Sequence, residues 1–413
     1  MQKIYLVSGA LIGAIVATLL IPFISRYYSS ESLAAASLLL MTHSFFGVMD
    51  VLKPIYIRSI SKDRRLCNYS NLVGPSCISG VCFSVLVLLF FSFFLSDFFS
   101  VGDRLFISAA VFMFVVYSSM WAVLDAHEKV GTGALLRGGS TAVLYVLFVC
   151  KAFWGLAFSL AALFFLVHSI ALFVFWFFAK KHIINSGFLT KNLTNDAVLI
   201  MGQNSGKILG DFFDRIFVSS SFAPGVVAIY NMSYDLAAKV NLPAQLFAAY
   251  WYPLLCKDPS RSSRFMLWGT SYALFILVAA ALLYAFGQSL YTFYFGSHFQ
   301  GYAWAFCLLL NVASMYSICF FGQALMRAAG RDLSLTLSFL IPALLGALYI
   351  LIWGSVGIGL VLVGVLVMKS TSLLIVYNMR NLFEKKVLFL MCFLIFLNFL
   401  FFCVVFLEEW GLS

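Results

Sequence analysis

Charge is scarce in this chain. Of 413 residues, 10% are Asp, Glu, Lys or Arg, while 63% are hydrophobic. Soluble domains carry about 25% charged residues, so a water-soluble fold is excluded: it has no way to hide this much apolar surface. Cysteine pairing is missing too. Nine cysteines are scattered, mostly inside apolar runs, with no CxxC pair. Neither a disulfide framework nor a metal site is implied. There is no glycine-rich phosphate loop of the Walker type, no HExxH and no nucleophile elbow, which argues against direct ATP hydrolysis and the common hydrolase chemistries. Long polar segments are also lacking, since no linker exceeds about 20 residues. A membrane polymerase or ligase needs a large external loop for its catalytic groups, so the chain is not read as an enzyme.

What is present is hydrocarbon. Mean hydropathy is +1.01, and apolar runs such as Val81–Leu95, Phe158–Phe178 and Val387–Leu407 recur along the chain. A helix needs about 20 apolar residues to cross a bilayer, whereas a membrane barrel would show short alternating segments. The runs are continuous, so the expected class is an all-α integral membrane protein. Spans are predicted at 4–24, 34–57, 73–95, 104–124, 134–153, 158–179, 197–221, 226–254, 265–286, 302–325, 333–353, 356–377 and 387–407. Twelve of these make two six-helix lobes, and the thirteenth gives an odd total. The first run, Ile4–Phe23, lacks a small-x-small cleavage site and reads as an uncleaved helix.

The net charge is +10, but its distribution points to topology rather than to nucleic acid. With the N-terminus in the cytoplasm, inside segments hold Arg58, Lys62, Arg64 and Arg65, Lys129 and Arg137, Lys180, Lys181 and Lys191, Lys257, Arg261 and Arg264, Arg327 and Arg331, and Arg380, Lys385 and Lys386. Outside segments hold only Arg26 and Arg104, beside Glu31, Asp97 and Asp103. That one-sided bias predicts a multi-pass protein with a cytoplasmic N-terminus.

An offset of about 190–200 residues hints at a repeat. Asp50-Val51-Leu52-Lys53-Pro54 ends span two, and span eight carries Asp235, Lys239 and then Pro243. Spans four and ten both run into basic, Gly-containing turns at Lys129-Val130-Gly131 and Arg327–Gly330. The expected organisation is an amino-terminal lobe over 1–190, a carboxy-terminal lobe over 191–380 and an extra helix in 381–413. Parallel repeats of this kind are a transporter plan.

Charges inside spans are costly and persist when they pair or face a watery cavity. Span seven is the outstanding case. At 100° per residue, Gln203, Asn204, Lys207, Asp211, Asp214 and Arg215 fall within a sector of about 120°. The other face, with Ile208 and Phe212, is free to meet lipid. Two readings stand: internal i,i+4 pairing of Lys207–Asp211 and Asp211–Arg215, or a cavity-lining stripe. Span eight adds Asn231, Tyr234, Asp235 and Lys239; span two adds His43, Asp50 and Lys53. His43 by itself reads as a hydrogen-bonded polar residue. Tyr250, Trp251 and Tyr252 fit an interfacial belt, as do Tyr291, Tyr294 and Tyr302, for which sugar contact is the other reading.

Gly210–Arg215, a short turn, then Tyr230-Asn231-Met232-Ser233-Tyr234-Asp235 resembles the polysaccharide-transporter branch of the multidrug/oligosaccharidyl-lipid/polysaccharide exporter (MOP) superfamily. Leu11–Ser25 followed by Tyr28-Ser29-Ser30-Glu31 is similar to that branch's first span and turn. Within it, the chain resembles the O-antigen (Wzx-type) flippases of Gram-negative bacteria. The resemblance implies a flippase of lipopolysaccharide O-antigen biosynthesis. Such a protein moves undecaprenyl-diphosphate-linked repeat units from the inner to the outer leaflet of the inner membrane by alternating access. It implies no cofactor beyond a coupling gradient of H⁺ or Na⁺. Its partners would be the lipid-linked oligosaccharide, membrane lipid and other glycan-assembly membrane proteins. On this reading Lys207, Arg215, Lys239, Lys53, Asn204 and Asn231 hold the head group, because Lys and Arg are the usual partners of phosphate. Asp211, Asp214, Asp235 and Asp50 balance charge or take the coupling ion. The competing readings are an ion-coupled multidrug antiporter on the same fold, a flippase for peptidoglycan precursor, and a membrane polymerase or ligase of the glycan pathway.

Overall fold

The computed structural model describes residues 2–49, 69–126, 130–183, 193–299, 301–382 and 384–409. It is an all-α membrane protein. The first six helices are α1 (Gln2–Tyr27), α2 (Ser30–Met49), α3 (Tyr69–Phe94), α4 (Val101–Ala126), α5 (Val130–Trp154) and α6 (Leu160–Ala179). Then follow α7 (Leu193–Ser221), α8 (Pro224–Val240), α9 (Leu242–Lys257), α10 (Ser262–Phe286), the short α11 (Gln288–Phe295), α12 (Ala303–Ala328), α13 (Asp332–Trp353), α14 (Ile358–Lys369), α15 (Thr371–Met379) and α16 (Lys385–Glu409).

Each predicted span overlaps one of these helices or a pair of them. Among the described residues, nine segments are long and apolar enough to cross a membrane. Span seven corresponds to α7, which carries Lys207, Asp211, Asp214 and Arg215 along its length. Span eight is two pieces, of 17 and 16 residues, divided at Asn241. Pro243 follows that break as the second residue of α9, where proline is tolerated. Span twelve is likewise divided, with Lys369 ending α14 and Ser370 leading into α15.

The chain forms two compact units, Met1–Asn204 and Ser205–Ser413. In the first, α4 is the central helix, packed by α3, α5, α6 and α2, while α1 lies along α5. In the second, α12 is central, packed by α8, α9, α10, α14, α15 and α16. These two helices are 83% and 89% buried over their most apolar windows, against 17% for α3. Small residues set the closest approaches, as they do in membrane bundles. A Cβ on Gly13 of α1 would stand 3.2 Å from the Gly138 carbonyl of α5, and one on Gly206 of α7 would stand 3.0 Å from the Leu340 nitrogen of α13. The first-to-fifth, third-to-fourth, fourth-to-sixth and second-to-fourth adjacencies of one unit therefore recur in the other.

Candidate functional site

The polar residues of spans seven and eight come together inside the second unit. An unbroken α7 puts Asp211, Asp214 and Arg215 on adjoining turns, and a turn at Phe222-Ala223 returns the chain as α8 alongside. Arg215 is 1% exposed. Its Nη1 lies 3.0 Å from Asp235 Oδ1 and its Nε donates across 2.9 Å to Asn231 Oδ1, both on α8. The guanidinium carbon stands 5.0 Å from the centre of the Tyr234 ring. Asp214, fully buried, accepts a short hydrogen bond from the Tyr230 hydroxyl.

One turn earlier, Asp211 accepts from the ammonium of Lys369 on α14, and the two form a close ion pair. Lys369 is 3% exposed, and its nitrogen sits 4.0 Å from the centre of the Tyr316 ring of α12. The Tyr316 hydroxyl is 3.5 Å from Asp211 Oδ2. A cation over an aromatic face and against a carboxylate is doubly stabilised where water is excluded. The site thus ties α7 to α8, α12 and α14 by charge.

Of the two readings of the α7 stripe, pairing along the helix itself does not form among the described residues. Asp211 and Arg215 each take a partner from another helix, while Lys207 has no carboxylate partner among the described residues and points its ammonium at the Phe339 ring, 5.3 Å away. In each pair the partner helices add a second polar contact, Asn231 beside Asp235 for Arg215 and Tyr316 beside Lys369 for Asp211. A second correction concerns the lipid-facing side of α7. Phe212 is 5% exposed, the side chain of Ile208 lies outside the described residues, and the half-buried side is Leu209, Phe213, Ile216 and Phe217. Along the helix wheel Leu209, Phe213 and Ile216 lie across from the middle of the polar stripe, whereas Phe212 stands nearer its edge, so the half-buried side is the one opposite the stripe.

Of the remaining expected site residues, Lys239 is half-buried with its ammonium 3.3 Å from the Asp235 carbonyl. Lys53, Asp50 and the side chain of Asn204 lie outside the described residues. Tyr291 is neither a belt anchor nor a surface sugar contact. It is 5% exposed, shares a 2.9 Å hydrogen bond with Ser233 of α8, and packs on Phe295 and Phe306. The residue missed by sequence reasoning is Lys369. Its signal was available, since a lysine in the apolar stretch from Ile358 to Tyr377 is as anomalous as those of span seven.

Three buried polar atoms of the cluster have no hydrogen-bond partner among the described residues: Arg215 Nη2, Asn231 Nδ2 and Asp214 Oδ1. Two of these are N–H donors on residues already bonded to each other. Unmet donors at this depth are costly, and they suit an anionic or hydroxyl-rich ligand.

No protein-family model matches the chain, and no curated protein matches it by sequence. Solved structures do match it in shape. Lipid II flippase MurJ in an inward closed conformation gives a TM-score of 0.64 at 13% identity, over 99% of this chain and 98% of that one. A MOP superfamily transporter from Pyrococcus furiosus, described by the reverse polarity of its binding pocket, gives 0.59 at 14% identity, over 92% and 95%. An outward-facing multidrug resistance MATE family transporter of the same superfamily gives 0.56 at 12% identity, over 92% and 96%. This chain, a membrane protein of helices throughout, has the fold of the MOP superfamily transporters.

Proposed function

We propose that this protein is a lipid-linked oligosaccharide flippase. It moves undecaprenyl-diphosphate-linked O-antigen or related repeat units from the inner to the outer leaflet by alternating access. It sits in a bacterial inner membrane with its N-terminus in the cytoplasm. The observation that carries this reading is the cluster of buried and half-buried charge in the second unit. Four cations, Lys207, Arg215, Lys239 and Lys369, stand with three carboxylates, Asp211, Asp214 and Asp235, and the unmet donors belong to Arg215 and Asn231. A diphosphate-sugar head group cannot enter hydrocarbon unaided, and a basic surplus with open N–H groups offers it a replacement for water. A cationic drug would meet net repulsion at the same place. MATE transporters of this fold are known in both inward-facing and outward-facing conformations, which is the motion the proposal requires. An ion gradient drives the cycle.

The test is a chromosomal deletion. The expected result is loss of surface glycan with accumulation of lipid-linked repeat units on the inner leaflet, restored by the wild-type gene. Lys207→Met reaches the membrane in normal amount, because it breaks no ion pair, but exports roughly tenfold more slowly or worse, the scale of one lost charge-assisted contact. Intact surface glycan with altered drug tolerance in the deletion strain overturns the proposal in favour of the multidrug antiporter.

A further inference from the structure

Exposed cations gather on the second unit where α10 and α16 begin. The two starts touch: the Glu384 amide, just ahead of α16, donates to Oγ of Ser263 in the first turn of α10 across 3.4 Å. Both helices turn one face to α12. The Ala273 carbonyl of α10 accepts from Ser314 across 2.7 Å, and the Asn398 carbonyl of α16 accepts from Asn311 across 2.8 Å. Their other faces are apolar and exposed, with Trp268, Phe275 and Leu282 on α10 and Phe389, Phe396 and Leu400 on α16. In a membrane protein such faces meet acyl chains.

Three cations head these two faces. At 100° per residue, Arg264 lies in the middle of the α10 stripe, one turn before Trp268. Lys385 and Lys386 straddle the α16 stripe, with Phe389 one turn beyond Lys385. All three are exposed. Basic side chains and a tryptophan at the end of a lipid-facing stripe stand at the level of the head groups.

The fold does not neutralise them. Other cations of this unit have partners: Arg261 pairs with Asp258 at 2.7 Å, Arg331 donates to the Asn378 carbonyl, and Arg380 lies 4.0 Å from the centre of the Tyr377 ring. Arg264, Lys385 and Lys386 have no ion pair, side-chain hydrogen bond or ring contact among the described residues. The carboxylate beside them is Glu384, also exposed, so three cations face one acid. Neither helix has an acidic residue in its first turn, and cations at a helix start oppose its dipole. The bias of basic residues to one side of a membrane does not ask that they head the lipid-facing stripes of two adjoining helices.

We propose that the starts of α10 and α16 form a binding site for an anionic phospholipid. Its phosphate sits among Arg264, Lys385 and Lys386, and its acyl chains run along the faces that begin at Trp268 and Phe389. A soluble anion lacks the chains that these faces require. Only the leaflet rests on the orientation proposed above: with the N-terminus in the cytoplasm, both helices begin at the inner surface. The binding does not depend on what the protein transports.

The full chain in detergent is mixed with phosphatidylglycerol or with phosphatidylcholine, and bound lipid is counted by native mass spectrometry. Phosphatidylglycerol is expected to bind more tightly than phosphatidylcholine by roughly tenfold or more, since each cation near an anionic head group contributes roughly fivefold. Arg264→Gln/Lys385→Gln/Lys386→Gln is expected to lose that preference, and Arg264→Gln alone to weaken phosphatidylglycerol binding by roughly fivefold. Lys180→Gln/Lys181→Gln/Arg380→Gln removes the same formal charge from other exposed positions and is expected to bind as wild type does. Equal binding of the two lipids, a triple variant at 264, 385 and 386 that binds as wild type, or a control that weakens as much as that variant overturns the site. A failed surface-glycan test would remove the proposed substrate and leave these results standing.

Discussion

The Arg215–Asp235 pair offers a quantitative check on the charged cluster. Replacing Asp235 by Leu leaves a guanidinium that is 1% exposed, with Nε still on Asn231 and both terminal nitrogens without partners. Breaking a buried ion pair by removing one member costs about 3–5 kcal/mol, because the remaining charge stays desolvated. For a unit of this size, each kcal/mol lowers the melting temperature by about 2–4 °C, so the expected fall is roughly 6–20 °C. The double variant Arg215→Met/Asp235→Leu removes both charges. It should recover most of the loss, short of about 1–3 kcal/mol for the Asn231 oxygen that Arg215 no longer satisfies. The assay is the melting temperature of detergent-solubilised protein, followed by fluorescence size-exclusion after heating. A single variant that melts within a degree or two of wild type, or a double variant that melts lower than the single, would refute the reasoning.

Two further outcomes test the packing. A methyl on Gly346 of α13 would lie 2.6 Å from the Gly364 carbonyl and 2.9 Å from the Met368 nitrogen of α14, backbone atoms that cannot swing aside. Gly346→Ala is therefore expected to destabilise the second unit by about 1–3 kcal/mol, while Gly225→Ala, with nothing within 4 Å, leaves melting unchanged; equal melting of the two variants contradicts this. Tyr291→Phe keeps its buried ring but strands the Ser233 hydroxyl, and is expected to cost about 1–3 kcal/mol, read as a melting temperature several degrees lower. No change would mean the hydroxyl pair contributes nothing.

Helices were legible because the bilayer enforces them: a run such as Val387–Leu407 has one way to satisfy its backbone in hydrocarbon, and α16 forms there. The break in span eight was less legible. Pro243 was visible, but twenty-nine mostly apolar residues read as one span, and only the turn at Asn241 divides them. At the site, periodicity placed Asp211, Asp214 and Arg215 on one side of a helix, and Asn231 and Asp235 on the helix that faces it. It did not give the partners. The nearest opposite charge in sequence is four residues away, whereas Asp211 is neutralised by Lys369, 158 residues on. Local spacing carries no information about which distant helix folds against α7. Tyr291 was misread for the same reason: a tyrosine beyond a span end looks like an anchor until α11 folds it inward against Ser233.

The bond between Asp211 and Lys369 also has a bearing on descent. Either residue alone would sit as an uncompensated charge among buried side chains, at a cost of about 2.5–3.5 kcal/mol or more at membrane depth. A lineage that loses one by a single codon change passes through a weakened ancestor before it can lose the other. Homologues of this chain should therefore keep both residues, lose both, or exchange their signs. A gene carrying one without the other marks either a rewired neighbour or a protein on its way to being discarded.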